Sequence, residues 1–257
     1  MSYKPMPIGV DDFGKIIEKG YYYVDKTNMI KDLIDKGGDT NLFTRPRRFG
    51  KTLNLSMIKY FFEKPIDGKS NKHLFEGLNI MDAGDKYTSL QEQYPVIALT
   101  LKSAKQPDWE MAYESLVDEI TNEYTRHKYI LECNDIINAD KEKYKRIMEQ
   151  KAKAIEYAKS LAFLSDCLYK YHQKNVIILI DEYDVPLENA YYTGFYDKMV
   201  SFIRSLFESA LKTNPYLEFG VITGCLRISK ESIFTGLNNL KINSILTEDY
   251  DEYFGFT

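Results

Sequence analysis

The chain has 257 residues, 44% of them hydrophobic and 28% charged, which is enough apolar material for a sizeable core in one large domain or two small ones. Its net charge of −4 gives no general attraction to nucleic acid or anionic membrane, and no segment nears the ~18 apolar residues that a membrane span needs. Cys133, Cys167 and Cys225 lie far apart without metal-ligand spacing, and residues 1–12 carry no leader pattern, so reduced thiols and a cytoplasmic setting are expected.

Taken in chain order, Met29, Ile30, Leu33 and Ile34 recur at helical spacing over 26–35, and Gly37-Gly38 stops the pattern ahead of a predicted strand at 40–44. The following stretch, Arg45-Pro46-Arg47-Arg48-Phe49-Gly50-Lys51-Thr52-Leu53, holds a Gly-Lys-Thr where a phosphate-binding loop joins a strand to a helix. Gly50 lets backbone N–H groups approach phosphate oxygens, Lys51 can reach the β and γ phosphates, and the Thr52 hydroxyl can bind Mg²⁺. The first glycine of the usual eight-residue pattern is absent, because Arg45 holds its place. A helix is predicted over 50–63, with Leu53, Met57, Ile58 and Phe61 inward and Pro65 as its stop.

Residues 66–94 read as a linker, 96–101 as a second strand, 108–129 as a helix and 139–171 as one long helix with a charged, solvent-facing side. Val176-Ile177-Ile178-Leu179-Ile180 then runs into Asp181-Glu182, the pattern of a buried parallel strand ending in acids. At the carboxyl end of a central strand, the first acid of such a pair helps hold Mg²⁺ and the second polarises an attacking water; as an alternative, the pair caps a following turn. A loop through Pro186 to Gly194, a helix over 196–211 and an apolar strand over 217–223 complete the pattern. Strands alternating with helices predict a three-layer α/β/α sandwich with a mostly parallel sheet. Most of the 21 Tyr and 14 Phe are expected in packing, and His73, His127 and His172 as structural or surface groups. The apolar stretch 253–257 suggests a piece of a longer protein or a terminus that packs.

The segments Phe43-Thr44-Arg45-Pro46-Arg47-Arg48-Phe49-Gly50-Lys51-Thr52, Ile180-Asp181-Glu182-Tyr183-Asp184 and Thr223-Gly224 through Arg227 to Phe234, with Pro7 to Phe13 and Tyr21 to Thr27, resemble the predicted AAA-ATPase-like family of bacteria and archaea. The resemblance covers nearly the whole chain, as an N-terminal family segment (1–38) and a nucleotide-binding core (39–257). It implies that Arg-Pro-Arg-Arg-Phe replaces the glycine-led loop, and that the fold is a P-loop NTPase with an additional strand between the phosphate-loop strand and the acidic strand. The 217–223 strand is the candidate for that place. It further implies ATP and Mg²⁺ as cofactors, and a C-terminal nuclease-like domain in the longer protein that this chain does not contain.

In that frame Thr223 becomes a sensor candidate, and Arg227 a γ-phosphate ligand in its own subunit or a finger acting on a neighbour in a homo-oligomer. Arg47 and Arg48 fold over the phosphates or hold the loop against acids such as Asp184 or Asp25. No Asn-Lys-x-Asp segment for guanine is present, so adenine is expected, with Tyr23 and Asp25 as candidates for the base pocket. The leading expectation is an ATP hydrolase in which Lys51, Thr52 and Asp181 hold Mg²⁺-ATP and Glu182 orients water. The alternatives are a nucleotide-gated switch with negligible turnover and a DNA-associated factor linked to a nuclease domain.

Overall fold

A computed structural model describes residues 4–226, 233–234, 237 and 239–255. Arg227 lies outside the described residues. The elements run α1 (Phe13–Glu18), α2 (Asn28–Lys36), β1 (Thr40–Thr44), α3 (Lys51–Phe62), α4 (Asp85–Thr88), β2 (Val96–Thr100), α5 (Trp109–Arg126), α6 (Asn138–Met148), α7 (Ala154–Ala158), α8 (Ser160–His172), β3 (Val176–Asp181), α9 (Val185–Thr193), α10 (Tyr196–Leu211), β4 (Leu217–Gly224) and β5 (Leu240–Asn243). The strands form one parallel sheet in the order β2-β3-β4-β1-β5. The expected inserted strand is therefore β4, lying between the loop-bearing β1 and the acidic β3.

Side chains alternate across each strand, so a sheet covered on both sides needs apolar residues at successive positions. Leu42, Ile178, Ile180 and Ile222 face one core with α5 to α10, while Phe43, Ile177, Leu179 and Val221 face the other with α1 to α3 and residues 250–254. Each such side chain, fully buried, contributes about 1.5–3 kcal/mol relative to exposure. Burial at this density fixes the register, because a one-residue slip would exchange the two faces.

Several elements differ from the sequence expectation. The span 139–171 is three helices, α6, α7 and α8, because Gln150 turns through a left-handed φ of 58° and Glu156 accepts the Lys153 N–H at 2.9 Å to start α7. The stretch around Pro186 is the helix α9, with the proline in its first turn, where the missing N–H costs no helical hydrogen bond. The expected linker contains α4 and 3-10 turns at Lys72–Phe75 and Asn79–Ala83, and α1 and β5 carry too short a pattern to be read. Leu53 is half-buried; the inward face of α3 takes Asn54, Leu55, Met57, Ile58, Phe61 and Phe62 instead. The Tyr129 hydroxyl bridges His127 and His172, which fits the expected structural role of both.

The outer strand β2 exposes backbone groups that have no neighbouring strand, and α5 supplies their partners. The Ala98 N–H donates to Glu123 Oε1 at 2.8 Å, and Arg126 Nη2 donates to the Val96 carbonyl at 2.6 Å. Arg126 also pairs with Glu123 and with Glu63 at the end of α3. Burial alone would raise the Glu123 carboxyl, but the Arg126 guanidinium outweighs it and holds the group well below the usual range. Its stabilisation is therefore complete above the unfolded value and is lost as pH falls through the depressed folded value. Glu123→Ala should cost about 1–3 kcal/mol in urea unfolding, by leaving the Ala98 N–H without its acceptor and Arg126 with Glu63 as its remaining carboxylate, and the wild-type advantage over the variant should shrink as the medium is made strongly acidic.

Candidate functional site

The carboxyl ends of β1, β4 and β3 lie side by side, and they carry the loop, Thr223 and the acid pair. Arg45 N–H donates to the Gly224 carbonyl at 3.1 Å, prolonging the β1–β4 ladder one residue before the chain leaves the sheet. Gly50 then takes a left-handed φ of 79° as the N-cap of α3 and offers no capping side chain. The N–H groups of the first turn, with the positive end of the helix dipole, are left for an anion. Lys51 is only 7% exposed, and its ammonium donates to the Arg45 and Pro46 carbonyls at 2.9 Å each and to Cys225 Sγ at 3.4 Å. The loop is folded around its own lysine.

Arg45, standing where the first glycine is usual, is 2% exposed. Its Nη1 donates to the Thr44 carbonyl at 3.1 Å and to the Asn243 carbonyl at 2.7 Å, and the guanidinium lies 4.8 Å from the centre of the Phe254 ring. Its side chain thus goes into the packing of β5 and the 250–255 segment. That segment also grips the loop directly, since Gly255 N–H donates to the Phe49 carbonyl at 3.2 Å and Asn54 Nδ2 to the Tyr253 carbonyl at 2.9 Å. Arg47 and Arg48 are exposed, and Arg47 Nη2 lies 4.0 Å from Glu188 Oε2. Of the two alternatives for these arginines, anchoring on Asp184 or Asp25 is not seen: Asp184 Oδ2 accepts the Cys225 and Leu226 N–H groups, and Asp25 accepts from Thr27 and Asn79.

Asp181, 7% exposed, is the meeting point. Its Oδ2 accepts the Thr52 hydroxyl at 2.6 Å; its Oδ1 accepts the Thr223 hydroxyl and, at 3.0 Å, the Glu182 N–H. Glu182 turns the chain with a left-handed φ of 53°. Burial and the Asp181 charge raise its carboxyl above the ordinary value, against the opposing pull of Lys102 and Lys51. Asp184 Oδ2 accepts the N–H groups of Cys225 at 2.9 Å and Leu226 at 2.7 Å, and burial pushes its carboxyl up despite these bonds.

Lys51, Thr52, Asp181, Glu182 and Thr223 are therefore brought together, with Gly50 and Leu53 on the same helix start. Tyr23 and Asp25 are held elsewhere. Tyr23 donates to Met57 Sδ at 3.5 Å, while Asp25 accepts the Thr27 N–H and hydroxyl at 2.8 and 2.6 Å and the Asn79 N–H at 2.7 Å. Their polar atoms hold the N-terminal segment, so geometry lends the base-pocket assignment no support. Cys225, Tyr183 and Lys102 join the site through the fold; Tyr183, inside Asp-Glu-Tyr-Asp, and Cys225, between Gly224 and Arg227, lie in segments that carry the resemblance, and Lys102 lies in none. The described residues contain no cluster of three metal-ligating side chains. One hydroxyl and one buried carboxylate side by side nevertheless suit Mg²⁺, which takes one or two protein oxygens and completes its shell with phosphates and water. No helix among the described residues is long and apolar enough to cross a membrane.

Residues 7–234 match the protein family described as Predicted AAA-ATPase. A protein of Azotobacter chroococcum mcd 1, described as an uncharacterized protein in the vnfD 5' region, is 28% identical over 260 residues, covering all of this chain and 44% of that protein. The chain thus spans less than half the length of the curated relative it matches. No solved structure matches it.

A Cβ on Gly224 would lie 2.5 Å from Tyr183 Cε1 and 2.7 Å from Asp184 Oδ1, so the β4 exit needs glycine for closeness. Gly224→Ala should lower stability by about 1–3 kcal/mol in urea unfolding, whereas alanine at the open Gly68 turn should leave the Asp184 contacts intact.

Proposed function

The chain belongs to the predicted AAA-ATPase family, and from that premise we propose that it binds ATP with Mg²⁺ and hydrolyses it, driving conformational change in an attached or partner domain. The observation that carries this reading is the 2.6 Å bond between Thr52 and Asp181, which joins the start of α3 to the end of β3 beside the Lys51 ammonium. The first-turn N–H groups of α3 and Lys51 take the phosphates, and Thr52 and Asp181 hold the metal. Bound there, Mg²⁺ neutralises charge on the phosphate oxygens. Glu182 orients the water and accepts its proton, a task suited to a carboxyl whose proton affinity is raised by burial. Thr223 keeps Asp181 in place, and Arg227 belongs to the same proposal as a γ-phosphate ligand from its own or a neighbouring subunit.

A second reading, a nucleotide-gated switch with negligible turnover, is favoured by the Lys51 ammonium being engaged by its own loop carbonyls. Phosphate release decides between them: Mg²⁺-dependent turnover supports hydrolysis, and tight ATP binding without release supports the switch.

In a release assay, Glu182→Gln should lower kcat by about 10²–10⁴-fold while ATP still binds; full activity in this variant would remove Glu182 from its role. Because the unprotonated base is the active form, the wild-type rate should rise with pH through a value above the ordinary 4.5 of a glutamate. Chelating Mg²⁺ should abolish turnover, and Lys51→Met should weaken ATP binding itself.

A further inference from the structure

Four bonds tie the turn after the acid pair to the exit of β4. Tyr183 N–H donates to the Thr223 carbonyl at 3.1 Å, and the Tyr183 hydroxyl to the Leu226 carbonyl at 2.7 Å. Asp184 Oδ2 accepts from Cys225 N–H at 2.9 Å and from Leu226 N–H at 2.7 Å. The bonded segment also receives the Lys51 ammonium on Cys225 Sγ. Glu182, with its left-handed backbone, lies between Asp181 on one side and this pair of anchors on the other. An isolated left-handed glutamate costs free energy and persists only where its surroundings hold it.

We infer that Tyr183 and Asp184 are positioning residues for Glu182: they clamp the β4 exit to the acidic turn and so fix where the Glu182 carboxylate stands relative to the phosphate-binding lysine. This rests on the hydrolytic reading above. The clamp bonds run to the β4 exit, and the phosphate loop meets that exit where Lys51 donates to Cys225 Sγ, so the clamp is expected to act on the chemical step more than on the nucleotide's own contacts with Lys51 and Thr52. What Asp184 contributes is one acceptor oxygen shared by two N–H groups, and an asparagine keeps that oxygen.

The test compares Tyr183→Phe, Asp184→Ala and Asp184→Asn with wild type, all in the full 257-residue chain. Phosphate release is read beside site-resolved alkylation of the half-buried Cys225 by iodoacetamide. Tyr183→Phe and Asp184→Ala should lower kcat by about 10- to 100-fold, the scale of a small misplacement of a reacting group, with KM for ATP within about twofold. Both should speed alkylation of Cys225, and Asp184→Asn should restore kcat and slow alkylation. Unchanged kcat, a parallel loss of kcat and KM, or no rescue by asparagine would overturn the clamp while leaving hydrolysis intact. A wild-type chain without ATP turnover would instead overturn the hydrolytic reading. The Cys225 rates alone would then judge the clamp, supporting it if the variants react faster and ending it if they do not.

Discussion

The arrangement depends on one buried carboxylate that accepts from three directions. Asp181 receives the Thr52 hydroxyl from α3, the Thr223 hydroxyl from β4 and the N–H of its own neighbour Glu182. In a setting that is 7% exposed, a charge must be hydrogen-bonded or it raises the cost of folding, so these donors are held to it firmly. The same three bonds fix the loop, the inserted strand and the acidic turn relative to one another. The proposed nucleotide site rests on that arrangement.

Around this centre the fold shows how an arginine can stand where a small residue is usual. The loop keeps its tight approach to α3 through Gly50 alone, and Arg45 turns its guanidinium into the layer between β5 and Phe254. Burial lowers the proton affinity of Arg45, only partly offset by Asp251. The 250–255 segment is thereby part of the loop's own support, bonded to Phe49 and Asn54. On the opposite edge of the sheet, Glu123 and Arg126 serve the outward backbone of β2. The central strands are thus braced from both sides, and the acidic end of β3 is held rigid by its neighbours.

The candidate site also shows two modes of tuning for adjacent acids. Asp181 is surrounded by donors, while Glu182 is turned out by its backbone into a place where burial and the Asp181 charge raise its carboxyl. Placing neighbouring carboxyls in unlike environments suits them to unlike tasks, which in the hydrolytic reading proposed above are metal binding for Asp181 and proton transfer for Glu182.

The strand-to-lysine turn and the apolar run ending in Asp181-Glu182 were legible in the amino-acid order, because short-range spacing and hydrophobic continuity are local properties. So was the alternation of strands and helices that predicts a parallel sheet, and the place of β4 followed from the family resemblance. Partners distant along the chain were not legible. Cys225 meets Lys51, Asp184 meets the Cys225 and Leu226 backbone, and Arg45 meets Asn243 and Phe254 only because the sheet order brings these segments together at the carboxyl ends of its strands. The helix breaks near Gln150 and Lys159 were also hidden, since they contain neither glycine nor proline and are set by how the chain wraps its core. Local pattern determined which residues could bind phosphate and metal; tertiary packing decided which of them share a hydrogen bond, because only the folded chain sets distances between residues far apart in sequence.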